Sequence, residues 1–81
     1  MNRETALSEI QDIARKVFEK PELMINDSLC ATDVDSWTSL TFMQLIDAIE
    51  KKYGFNFKMM ELLKLQNMGA IIDTTVSHLE K

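Results

Sequence analysis

The chain has 81 residues, 46% apolar and 27% charged, with two glycines and one proline, an ordinary globular composition that supports one small core and leaves little room for disorder. Nine basic against thirteen acidic residues give a net charge of −4, which repels phosphate backbones and argues against a nucleic-acid partner. No apolar run reaches the length of a membrane span or a signal peptide, and one cysteine with one histidine offers neither a disulfide nor a metal-ligand spacing.

Leu7, Ile10, Ile13, Ala14, Val17 and Phe18 recur at spacings of three and four. They predict a first helix from about Glu4 to Glu19, with Thr5 an alternative cap, ended by the approach to Pro21. From Pro21 to Trp37 the apolar residues Leu23, Ile25, Leu29 and Val34 are scattered among Asn, Asp, Ser and Thr, the pattern of a long loop pinned to the core at several points.

Phe42, Leu45, Ile46, Ile49 and Tyr53 fall on one arc of a second helix, and Gly54 follows as its terminator. A short third element, about Met59 to Lys64, carries Met59, Leu62, Leu63 and Leu65. Asn67 then caps a fourth helix with the core face Met68, Ile71, Ile72, Val76 and Leu79, weakened slightly by Gly69 and Thr75. The six methionines read mainly as fillers of an irregular core, Met43 excepted. Cys30 reads as a small buried or half-buried side chain, and His78 has no obvious nucleophile beside it. The whole is an all-α, four-helix bundle with a long first loop and a short third helix, expected to be one domain over residues 1–81, cytoplasmic and monomeric, with no membrane or metal partner.

Two serines three residues apart, Ser36 and Ser39, flank the only tryptophan in "DVDSWTSLTF". If the second helix began at Ser36, Trp37 would lie with Thr41, Gln44 and Ala48, opposite Phe42 and Ile49, and a large aromatic would face water. If Thr38 is the cap and Ser39 the first helical residue, Trp37 belongs to the loop and folds under the helix into the core, where its burial is worth a few kcal/mol. Burial favours the second arrangement. It sets Ser39 at a helix N-terminus, where free amides and the macrodipole favour an attached phosphate. Leu40 and Met43, one turn apart and off the inner arc, form a small exposed apolar patch beside it.

These residues resemble the acyl carrier protein and peptidyl carrier protein superfamily. In one branch of small stand-alone carriers the pattern W-D-S-L is followed by an amphipathic helix ending in E-x-x-F/Y-G. Here "WTSLTFMQLIDAIEKKYGF" matches at Trp37, Ser39, Leu40, Leu45, Ile46, Ala48, Ile49, Glu50, Tyr53 and Gly54. "ELLKLQNMGAIID", Glu61 to Asp73, is similar to the third and fourth helices of that branch, so the likeness covers nearly the whole chain. In the family the modified serine lies fourteen positions before the aromatic that closes helix two. Ser39 has that spacing to Tyr53, whereas Ser36, which follows Asp35 and mimics the D-S dipeptide, lies seventeen before it.

The resemblance implies a non-catalytic carrier of acyl-carrier-protein type. A phosphopantetheinyl transferase would attach the 4′-phosphopantetheine of coenzyme A to Ser39, and the arm's thiol would hold an acyl or aminoacyl group as a thioester for loading and transfer enzymes. Thr38, Leu40, Met43 and Asp47 are the residues expected to meet those partners, and the core around Phe42, Ile46, Ile72 and Val76 could open to shelter an acyl chain.

Three departures from the family stand out. Thr38 replaces the usual aspartate; it can cap the helix but cannot supply a carboxylate to a metal-bound coenzyme A. The outer face of helix two carries Thr41, Gln44, Asp47, Lys51 and Lys52, so of the acidic strip of fatty-acid-type carriers only Asp47 and Glu50 remain, which points to dedicated partners. Met60 stands near the start of helix three in place of a polar capping residue. The alternative reading is a carrier-like interaction domain that is never modified; a helix-turn-helix DNA binder lacks the basic face it would need.

Overall fold

The computed structural model describes residues 1–80. Four helices form in chain order, α1 (Arg3–Val17), α2 (Ser39–Tyr53), α3 (Met59–Leu62) and α4 (Met68–Leu79), with a 3-10 turn at Ala31–Asp33 inside the long loop; no strand occurs among the described residues. Helix α1 packs against both α2 and α4. Its line of contact is Ala6, Ile10, Ala14 and Phe18, each 0–1% exposed, a strict four-residue repeat whose small alanines let the neighbouring helices approach.

The sequence places α1 slightly late, from about Glu4 to Glu19. Instead Asn2 is the cap, its Oδ1 accepting a hydrogen bond from the Thr5 amide at 2.8 Å. The helix ends two residues early because Phe18 turns inward as the C-cap and Glu19 adopts φ 55°. That left-handed residue lets the Lys20 amide return to the Arg15 carbonyl at 3.0 Å. Leu7, Ile13 and Val17 flank the contact line and are half-buried.

The long loop is a run of tight turns held down by polar groups of α1. Gln11 Oε1 accepts from the Ile25 amide at 2.9 Å, and Arg15 Nε donates to the Leu23 carbonyl at 2.7 Å. Ile25, Val34 and Trp37 are thereby drawn into the core. The loop also caps α4, with Leu29 and Asp27 carbonyls accepting from the amides of Met68 and Gly69 at 2.9 and 3.0 Å, and Asn67 Oδ1 accepting from Ala70 at 2.8 Å. Three leading donors of α4 are thus satisfied.

This close approach overturns the reading of Gly69 as a weak point. A Cβ there would lie 2.9 Å from the Asp27 carbonyl oxygen, so only glycine fits against the loop. Thr75, also read as weakening, is fully buried with its hydroxyl donating to the Ile71 carbonyl at 2.8 Å.

Helix α3 is one turn long, shorter than the expected Met59 to Lys64, and is fixed by Glu61. One carboxylate oxygen accepts from the Lys58 amide at 2.8 Å, and the group binds His78 Nε2 of α4 at 2.8 and 3.0 Å. The capping function is therefore met by Glu61, not at Met60. The His78 ring stacks on Phe55 at 4.5 Å and meets Phe57 edge-on, so this histidine locks α3 to α4.

The methionines correct the expectation of core fillers. Met68 is buried, whereas Met24, Met59 and Met60 are exposed, as is Leu63; Met43, the stated exception, is exposed as expected. A four-residue helix has only one inward side, occupied here by Leu62.

Candidate functional site

The two serines are separated by what their hydroxyls do. Ser36 Oγ donates to the Phe18 carbonyl at the end of α1 at 2.8 Å and is half-buried. Ser39 is the first residue of α2, is exposed, and makes no side-chain hydrogen bond to any described residue. Between them Trp37 is buried and stacks on Phe18, ring centroids 5.4 Å apart.

A capping box organises the helix start. The Thr38 hydroxyl accepts from the Thr41 amide at 3.2 Å, while the Thr41 hydroxyl accepts from the Thr38 amide at 2.8 Å and donates to the Ser36 carbonyl at 2.6 Å. The sequence reading sets Thr41 only on the outer face of the helix and gives it no capping role, although the Thr-x-x-Thr spacing carries the signal. Its hydroxyl fastens the Ser36 turn to α2. The amides of Ser39 and Leu40 are left without a partner among the described residues, so two donors at the positive end of the helix dipole lie beside the free Ser39 hydroxyl.

Ser39 stands at the rim of an open groove of about 790 Å³ between α2 and α3. Trp37, Phe42, Met43, Leu62, Leu63 and Leu65 supply its apolar walls. Of the four residues expected to shelter a chain, only Phe42 lines it; Ile46 and Ile72 are sealed in the core. The contribution of α3 was not legible because Leu62 and Leu63 read as core positions.

Among the expected partner contacts, Leu40 is 69% and Met43 51% exposed. The acidic strip is thinner than the sequence suggests. Glu50 is half-buried with Oε2 accepting from the Phe57 amide at 2.8 Å, and Asp47 is paired with Lys51 at 2.9 Å. Glu50 therefore closes the turn after α2 with one of its two carboxylate oxygens. Cys30 is half-buried, its Sγ 3.1 Å from Thr32 Oγ1.

A helical bundle presenting an unpaired hydroxyl on the first turn of a helix, with free amides and an apolar groove beside it, is the architecture of a carrier-type domain. The family model described as a phosphopantetheine attachment site matches residues 8–75, and the chain belongs to that family. Its structure is similar to the solution NMR structure of a holo acyl carrier protein from Geobacter metallireducens, with a TM-score of 0.88 and 33% identity, covering 93% of this chain and 86% of that one. Comparison with curated proteins gives no match. The cofactor of this family is covalently held 4′-phosphopantetheine, and the first turn of α2 fits it: an accessible oxygen for the bond, two free donors for the phosphate and an apolar wall for what the arm bears. No described helix is long and apolar enough to cross a membrane.

Proposed function

We propose that the chain is an acyl or aminoacyl carrier that catalyses nothing itself and bears its 4′-phosphopantetheine on Ser39. The observation that carries this reading is the exposed, unpaired Ser39 hydroxyl at the start of a capped helix.

In the modification step Ser39 Oγ loses its proton and forms a phosphoester bond as the nucleotide half of coenzyme A departs, under a phosphopantetheinyl transferase. When bound, the arm supplies a terminal thiol that holds cargo as a thioester. The chain's own residues then position it. The Ser39 and Leu40 amides favour the phosphate, the Thr38–Thr41 box keeps the helix start rigid, Leu40 and Met43 meet loading and transfer enzymes together with Asp47, and the open groove behind Ser39 gives an apolar cargo an apolar wall to lie against.

The test is to incubate the protein with coenzyme A, magnesium and a broad-specificity transferase, and with that of the source organism, and then to measure its mass. A gain of one phosphopantetheine that survives Ser36→Ala and vanishes with Ser39→Ala supports the carrier. No gain with either transferase would leave an unmodified interaction domain.

A further inference from the structure

We infer that Trp37 holds the phosphopantetheine arm by donating its indole N–H to an amide carbonyl of that arm; this deepens the carrier reading above and rests on it. The indole is 8% exposed and stacks on Phe18, so apolar burial accounts for the ring. It does not account for Nε1. No group of the described residues accepts a hydrogen bond from that nitrogen, yet none of their polar side-chain atoms is sealed in the core without a partner. Nε1 therefore reaches the outside through the small part of Trp37 that stays open, and the recess that Trp37 lines is the groove with Ser39 on its rim. Water satisfies such a donor while the groove is open. A ligand that covers it must supply an acceptor or forfeit the bond.

The chemistry of the arm meets that requirement. Phosphopantetheine runs from its phosphate through two amide groups to the thiol, and each amide carbonyl is an acceptor. The side chains of Phe42, Met43, Leu62, Leu63 and Leu65 in the groove walls are apolar and cannot pair with an amide as it leaves water. Trp37 precedes Ser39 by two residues, so the amide segment next to the phosphate, ahead of the terminal thioester, is the part that passes it. The donor is also held still. The Trp37 amide donates to the Val34 carbonyl at 3.0 Å, and Ser36 beside it is tied to the Phe18 carbonyl at 2.8 Å and to the Thr41 hydroxyl at 2.6 Å. A donor fixed in advance loses little freedom on binding. One neutral hydrogen bond is weak, but the ester to Ser39 makes the contact intramolecular, at high effective concentration. The arm is thereby held against the bundle part of the time and still released to partner enzymes.

The chain has one tryptophan, so 15N-tryptophan labelling of the full-length protein gives a single indole N–H signal. It is compared in the apo protein, in the holo protein made with coenzyme A and a transferase and verified by mass, and in the holo protein acetylated on its thiol. The signal should move downfield on holo formation, exchange with water about fivefold more slowly, and change no further on acetylation. Trp37→Phe keeps an aromatic ring to stack on Phe18 and should show the same mass gain, while the 15N-labelled amides of its arm give signals closer to those of free pantetheine than the parent's do. After a verified mass gain, an indole signal unchanged in position and exchange overturns the inference alone, as does one that moves only on acetylation. The parent protein supplies this readout, so it decides the matter even where Trp37→Phe fails to fold. Absence of the mass gain overturns the carrier reading, and this inference with it.

Discussion

The Ser36 hydroxyl donates to the Phe18 carbonyl across the end of α1, 2.8 Å away and eighteen residues distant in sequence. This bond gives the first of two nearby serines a structural task and leaves the second, Ser39, free. Ser36→Ala should therefore cost about 1 kcal/mol of stability by leaving a part-buried carbonyl unpaired, with modification intact. Ser39→Ala should leave the melting temperature within about 1 °C, since surface changes of this kind are near neutral, and abolish the mass gain. Thermal melts and intact mass on both variants check the pair.

Gly69 and Gly54 should respond to alanine for different reasons. At Gly69 alanine favours the helix by about 1 kcal/mol, but its Cβ would meet the Asp27 carbonyl at 2.9 Å, and the net effect should be a loss of about 1–3 kcal/mol. At Gly54 there is open space around the added atom, but φ is 74°, so the cost is backbone strain of about 1 kcal/mol. Urea unfolding of the two single variants measures both, and a stabilised Gly69→Ala protein would contradict the loop contact.

The Thr38–Thr41 box can be dissected in the same way. Thr41→Val removes the acceptor for the Thr38 amide and the donor to the Ser36 carbonyl, and should destabilise by about 1–2 kcal/mol. Thr38→Asp keeps a capping oxygen and adds a carboxylate next to Ser39, the proposed site of modification. Its melting temperature should be unchanged or higher, and a broad-specificity transferase should modify it several-fold faster in magnesium. An unchanged rate would show that the missing acid does not limit modification.

Tyr53 gives a pH signature. Burial, and then its 2.6 Å hydrogen bond to Glu9, raise the phenol well above the usual tyrosine range. The folded state therefore holds this proton to higher pH than the unfolded chain does. The stabilisation is complete below a pH of about 10, the unfolded value, and is lost as the pH rises from there through the folded value. The difference in melting temperature between the parent and Tyr53→Phe should be constant from neutral pH to about 9 and shrink above 10. Because the chain has one tyrosine, its ultraviolet titration reads the group directly, and a folded-state midpoint near 10 would contradict the assignment.

Periodicity and caps made the four helices legible, together with the burial of Trp37, the exposure of Leu40 and Met43, and the choice of Thr38 as the cap of α2. Each depends on neighbours within one or two turns, where sequence spacing and spatial spacing coincide. The tertiary structure alone decided that Ser36 is tied to Phe18, that Gly69 yields to the Asp27 backbone, that Glu50 serves the turn at Phe57, and that Met59 and Met60 of α3, with Leu63 after it, face outward. In these cases the partner comes from a different element, or a one-turn helix lacks a second side to bury, and no local pattern encodes either condition.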